Sequence, residues 1–302
     1  MISRILCAFA ILCAVCLPPG SAATSGSSVA LKMDRDVAYG RASSKQKLDI
    51  LYRTDVTPPR PAVIYVHGGG WSGGDKDDDP QMQGDMMTRL ADGFVAVAIN
   101  YRLADEVKFP AAVEDCKLAV RWLRAHAAQY GIDKNRIGVV GGSAGGHLAA
   151  MLAVTQENDG FEGSGGLFEE SSAVQAVVSV SGPTDLQEPL CATQVESRRK
   201  MVSDFLGVPD NEFSAAAKKA SPISYVRKDA PPMLLVHCRD DQSIDAGQSI
   251  RFADAMKKVG APVELLLLDG ANHGSEMART DPVLSQIITF LRATLKPEQT
   301  AR

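Results

Sequence analysis

The chain has 302 residues, 45% of them hydrophobic and 23% charged, an ordinary globular composition that suffices for one large α/β domain around a single core. A formal net charge of −4 leaves no basic excess to neutralise phosphates, which argues against a general nucleic-acid binder. No repeat period stands out, and no linker-like stretch divides the middle of the chain.

Residues 1–23 read as a leader rather than as part of the fold. Arg4 forms a short positive start, Ile5 to Leu17 is a 13-residue apolar run, and Pro18-Pro19-Gly20-Ser21-Ala22 supplies a breaker and small residues. This is the pattern of a secretory signal peptide cut after Ala22 or Ala23. It predicts a secreted or periplasmic domain over 24–302 without stable membrane insertion, because a spanning helix needs roughly 20 apolar residues. Of the six cysteines, Cys7, Cys13 and Cys16 leave with the leader. Cys116, Cys191 and Cys238 remain, so at most one bridge can form, and none of the three has metal-ligand spacing.

Val29 to Arg53 reads as two antiparallel strands, and the apolar run Ala62–Val66 as a strand buried on both faces. His67-Gly68-Gly69-Gly70-Trp71 follows, then an acidic stretch, Asp75 to Asp79, expected to be a solvated loop. Gln81 to Asp92 reads as a helix, Phe94 to Arg102 as a strand, and Phe109 to Tyr130 as one amphipathic helix stopped by Gly131. Arg136 to Gly142 is a strand leading into Ser143 and an alanine-rich helix. Gln156 to Ser172 reads as a long loop and Val174 to Val180 as a strand. Ser181 to Ser221 breaks the alternation and is expected to be a small cap insertion, spanning about 182–221, with a short helix near Glu212 to Ala220. Pro232–Cys238 (strand), Asp245–Val259 (helix), Val263–Leu268 (strand) and Asp281–Leu295 (helix) complete the chain. Strands alternating with helices predict a mostly parallel sheet of about eight strands with helices on both faces. In such sheets the chemistry lies past the carboxyl ends of the strands.

Gly141-Gly142-Ser143-Ala144-Gly145 is a G-x-S-x-G pentapeptide between a strand and a helix, the context of a nucleophile elbow. A serine nucleophile needs a base, and the base needs an orienting acid. His273, in Gly270-Ala-Asn-His-Gly274 after the last strand, is the expected base. His126, His147, His67 and His237 read as surface or bracing residues. The acid should follow a strand between serine and histidine. Asp241 is chosen, with Asp240 as a solvated neighbour and Asp185 as a turn or cap residue. The expected oxyanion donors are the N–H groups of Gly69, Gly70 and Ala144. Trp71 and the cap would shape the acyl and alcohol pockets. Gly68-x-Gly70-x-x-Gly73 also matches a dinucleotide fingerprint, but that reading needs an acid after the next strand. Asn100-Tyr101-Arg102 stands there instead.

The order glycine loop, serine, aspartate, histidine resembles the α/β-hydrolase superfamily. It resembles more closely the esterase/lipase branch related to hormone-sensitive lipase, and most nearly the bifunctional feruloyl and acetyl-xylan esterases. The residues carrying the likeness are His67-Gly-Gly-Gly-Trp71, Gly74-Asp75-Lys76, Asn100-Tyr-Arg-Leu103, Phe109-Pro110, Gly141-Gly-Ser-Ala-Gly-Gly-His147, Asp241 and His273-Gly274. The likeness runs from Lys47 to Leu295. The family's usual His-Gly before the acid is His237-Cys238 here. The resemblance implies a serine carboxylic ester hydrolase that needs no metal or cofactor and acts on small-molecule or carbohydrate esters. A peptidase of the prolyl-oligopeptidase type shares fold and triad but usually carries a propeller domain that this length cannot hold. A catalytically dead binding module is the non-enzyme alternative.

Overall fold

The computed structural model describes residues 30–78, 80–270, 273 and 281–296. The expected leader, residues 1–23, lies outside them, as does Gly274. The strands are β1 (Leu31–Ala38), β2 (Lys47–Arg53), β3 (Arg60–Val66), β4 (Val95–Ile99), β5 (Ile132–Gly142), β6 (Ala176–Val180), β7 (Met233–Cys238) and β8 (Val263–Leu268). They form one sheet in the order β1-β2-β4-β3-β5-β6-β7-β8. β1 and β2 are antiparallel to their neighbours, and every pair from β4 to β8 is parallel.

The helices are α1 (Pro80–Ala91), α2 (Ala111–Ala125), α3 (Ala127–Tyr130), α4 (Ala144–Val154), α5 (Val195–Leu206), α6 (Phe213–Lys219), α7 (Gly247–Val259) and α8 (Asp281–Leu295). Successive side chains of β3 feed two cores. Ile64 and Val66 join the core shared with α2 and α4, while Val63 and Tyr65 join the one shared with α1 and α8. That is why β3, β4 and β6 are buried at every position and apolar except for Arg60 and Ser179: each has a helical layer on both sides. Every residue of α4 is buried, and its small side chains let it lie close against the sheet. No helix among the described residues is long and apolar enough to cross a membrane.

The structure departs from the sequence reading in four places. The strand expected over Phe94 to Arg102 is shorter, because Asn100 and Tyr101 turn away to bond the loop after β3. The single helix expected over Phe109 to Tyr130 breaks at His126, whose ring Nδ1 lies 2.8 Å from the Trp122 carbonyl; that bond satisfies a C-terminal carbonyl with a side chain. The polar side of the expected amphipathic helix is not left to solvent. Lys117, Arg121 and Arg124 are buried, pairing with Glu162 and with carbonyls of Gly166, Ser171 and Ala173, and so clamp the loop after α4. The cap holds two helices, α5 and α6, rather than one. The α5 stretch hides its apolar face in a polar sequence, with Val202, Phe205 and Leu206 buried and Val195-Glu196-Ser197 exposed.

Candidate active site

β5 carries an apolar run to Gly142 and then turns abruptly. Ser143 takes φ 55° and ψ −121°, a conformation costing a non-glycine residue about 1–3 kcal/mol. Its N–H donates to Val180 O (2.8 Å), and its carbonyl accepts from His147 N (3.0 Å). The glycines around it are a steric necessity. A Cβ on Gly141 would lie 2.1 Å from Gly145 O, and one on Gly145 would lie 2.1 Å from Val66 O. The turn is therefore pressed against the end of β3, and the half-buried hydroxyl projects from it.

Ser143 Oγ lies 2.9 Å from His273 Nε2, and His273 Nδ1 lies 2.7 Å from Asp241 Oδ2. The network assigns the tautomer: Nδ1–H donates to the carboxylate and Nε2 accepts from the serine hydroxyl. The other oxygen of Asp241 accepts the main-chain N–H groups of Ser243 (2.8 Å) and Ile244 (3.1 Å). Burial pushes the Asp241 carboxyl up. The opposing contacts with His237 and His273, and the N–H of Ser243, outweigh it and hold the group well below the usual carboxylate range. Asp241 is thus built to stay ionised beside an imidazole. Main-chain bonds from Arg239 N to Leu268 O and from Asp240 N to Gly270 O tie the acid loop to the loop that carries His273. Asp240 is exposed. Asp185 caps its own turn by accepting Gln187 N (3.1 Å) and takes no part in the Ser143–His273–Asp241 chain.

The other histidines brace the site. His237, fully buried, bonds the Ser249 hydroxyl through Nδ1 (2.7 Å) and donates from Nε2 to Ile244 O (2.9 Å). Its Nε2 is 3.5 Å from Asp241 Oδ2, too long for a second full hydrogen bond but close enough to support the negative charge. The Cys238 that replaces the usual glycine is buried in the strand, and its carbonyl accepts Asp241 N (3.3 Å) to close this turn; no disulfide joins any two of Cys116, Cys191 and Cys238. His147 is fully buried; its Nδ1 accepts Trp71 Nε1–H (3.1 Å) and its Nε2 donates to Ala220 O (2.7 Å). Burial, only partly opposed by the Ala220 carbonyl, pushes its pKa down to about 4. Burial likewise lowers the pKa of His67, which stacks on Tyr101 at 4.4 Å and bonds Gly68 O.

The loop after β3 curls beside the serine. A Cβ on Gly68 would sit 3.3 Å from Ser143 Cβ. Gly69 and Gly70 have φ of 98° and 59°, values open to glycine and strained for other residues. Gly69 O accepts Ser72 N and Gly73 N, which closes the turn. The N–H groups of Gly69, Gly70 and Ala144 find no acceptor among the hydrogen bonds of the described residues, and Ala144 opens α4, where the helix dipole favours negative charge. Beyond the turn, Asn100 Oδ1 accepts Lys76 N–H and Asn100 Nδ2 donates to Asp75 Oδ2. Lys76 is 3% exposed and meets Asp49, Asp36 and Asp77 at 3.0–3.2 Å. The acidic stretch expected to be simply solvated is therefore pinned at its start by a buried lysine, a role the charge run concealed.

Trp71 differs from expectation. It is 1% exposed, its indole N–H is taken by His147, and Phe205 of the cap stacks on it at 4.4 Å and 14°. It joins the cap to the main fold instead of lining an open pocket. A cavity of about 690 Å³ is lined by Tyr39, Gln46, Arg102, Asp115 and Trp122 among others, and includes none of Ser143, Asp241 or His273. The constellation of groups rather than cavity size locates the chemistry. Among the described residues, no group of three or more His, Cys, Asp or Glu side chains is placed to hold a metal ion.

Known proteins carry the same arrangement of chain. Residues 48–256 match the BD-FAE family. Esterase LipQ of Mycobacterium tuberculosis is 34% identical over 256 residues, which is 81% of this chain and 58% of that one. The chain spans between 58% and 64% of the length of the first three curated relatives it matches. A truncated carbohydrate esterase from gut microbiota superposes with a TM-score of 0.78 at 26% identity, covering 88% of this chain and 96% of that one. The propionate-bound esterase Est2 of Thermogutta terrifontis superposes with a TM-score of 0.70 at 28% identity, covering 90% and 97%. With its sheet order and its match over most of the fold, the chain belongs to the BD-FAE family of α/β-hydrolase esterases.

Proposed function

We propose that the protein is a serine carboxylic ester hydrolase working through Ser143, His273 and Asp241. The observation that carries this is the unbroken chain of hydrogen bonds from the Ser143 hydroxyl through His273 to a buried, ionised carboxylate. His273 Nε2 takes the proton as Ser143 Oγ attacks the ester carbonyl. Asp241 holds the imidazole in register and stabilises its cation. The N–H groups of Gly69, Gly70 and Ala144 receive the charge that develops on the carbonyl oxygen; removing one such donor typically slows a reaction by about 100- to 1000-fold. His273 then hands its proton to the departing alcohol, and a water attacks the acyl-enzyme with the same histidine as base. Every step is a proton shift or an acyl transfer.

The substrates we propose are short acyl esters, including acetyl or feruloyl esters of carbohydrate. The names of the matched family and of the carbohydrate esterase it superposes on support that class. The leader-like residues 1–23 support action outside the cytoplasm, in the periplasm or beyond the cell. Ser143→Ala is expected to abolish hydrolysis of p-nitrophenyl acetate and labelling by a fluorophosphonate probe. Wild-type turnover by that variant would sink the mechanism. Acetylated xylan, methyl ferulate and p-nitrophenyl esters of rising chain length, assayed side by side, test the substrate class.

A further inference from the structure

We propose that Met201, on the cap helix α5, sets the length of acyl chain that the site accepts; this rests on the esterase reading above. The cap touches the glycine loop at two successive residues. A Cβ on Gly70 would lie 2.8 Å from Met201 Sδ and 3.5 Å from its Cγ, so the thioether packs directly on the Cα of Gly70. One turn along α5, Phe205 stacks on Trp71, the next residue of the loop. Trp71 is held in turn by His147 on α4, the helix that begins right after Ser143. Met201 and Phe205 are four apart and so share a face of α5. Phe205 is 1% exposed and Val202 is 2% exposed, while Met201 is only half-buried. Phe205 is therefore the anchor, and Met201 is the partly exposed side chain lying over Gly70.

The chemistry says what that side chain limits. The leaving oxygen must face His273 Nε2 to receive its proton. The carbonyl oxygen must face the donors of the glycine loop. The third substituent of the reacting carbon, the acyl chain, would then run beside Gly70 and under Met201, the side chain that lies over that glycine. An unbranched thioether with three rotatable bonds makes an adaptable but finite stop there.

The test compares wild type with Met201→Ala and Met201→Phe, using kcat/KM for p-nitrophenyl acetate, butyrate and octanoate and for an alcohol series of methyl to hexyl acetates. Met201→Ala is expected to raise the octanoate-to-acetate ratio by about ten-fold, the scale on which a hydrophobic pocket distinguishes a methylene or two. Met201→Phe, which keeps the apolar contact and adds bulk, is expected to lower it. Ratios that stay within about two-fold of wild type in both variants would overturn the proposal, as would a change confined to the alcohol series. Wild-type protein that is inert to all these esters and to the fluorophosphonate would overturn the esterase reading as well. Active wild type with unmoved ratios overturns only the role of Met201.

Discussion

Replacing Gly145 with alanine tests how the elbow is held. The new Cβ would lie 2.1 Å from Val66 O and 2.5 Å from His67 O, where ordinary contact begins near 3.4 Å. The end of β3 and the start of α4 would have to part by about 1.3 Å. Neither can give cheaply, because β3 is buried throughout and so is α4. Ser143 lies two residues before this contact, with its hydroxyl 2.9 Å from His273 Nε2. A misplacement of about 1 Å is worth roughly 100-fold in rate, so kcat/KM for p-nitrophenyl acetate should fall by at least that factor. Overpacking a rigid site should also cost about 1–3 kcal/mol or more in urea unfolding. Gly73→Ala is the control within the neighbouring loop, since its Cβ would meet only Gly69 O, at 3.7 Å. Wild-type activity and stability in Gly145→Ala would refute the argument that this approach fixes the serine.

Two further outcomes are expected. Asp241→Asn replaces the acceptor of His273 Nδ1–H by a neutral amide and should lower kcat by about 10³- to 10⁴-fold, whereas Asp240→Asn and Asp185→Asn, both outside the hydrogen-bonded chain, should leave kcat near wild type. His147 titrates near 4 in the fold against an ordinary 6.5, because burial penalises its charged form and the Ala220 carbonyl only partly opposes this. A depressed pKa means that the unfolded state binds the proton first, so the stability linked to His147 is complete above about pH 6.5 and is lost as pH falls from there toward 4, by up to roughly 3 kcal/mol. Urea unfolding at several pH values should show this loss in wild type and a flatter profile in His147→Gln; parallel profiles would contradict the assignment.

Alternation of apolar runs with helical periods gave the parallel sheet, because strands covered on both faces must be apolar at every position, as Ala62–Val66 and Val95–Ile99 are. The motifs lying past strand ends were readable for a related reason. Glycines such as Gly141 and Gly145 stand where main chains touch, and no other residue fits. Harder to read was anything decided by contacts across the fold. The inner face of α5 is three apolar residues in a polar stretch, and only docking against Trp71 reveals it as a helix of the cap. Trp71 itself reads as a pocket residue, since a tryptophan after a glycine loop carries no mark of the histidine 76 positions away that takes its N–H.

What the sequence determined by itself is the set of local commitments: the elbow at Ser143, the glycine turn at 68–70, the order of strands and helices, and three polar residues each placed after a strand. These follow from steric limits on the backbone and from the period of burial, which act over a few residues. Only the tertiary structure decided which of those polar residues meet. Distances of 2.7 and 2.9 Å among residues up to 130 positions apart exist because β5, β6, β7 and β8 lie side by side in parallel and the segments after them bond one another. It also decided which cations are buried, where the cap sits and what Met201 covers, because burial and pairing belong to surfaces that come together only when the chain has folded.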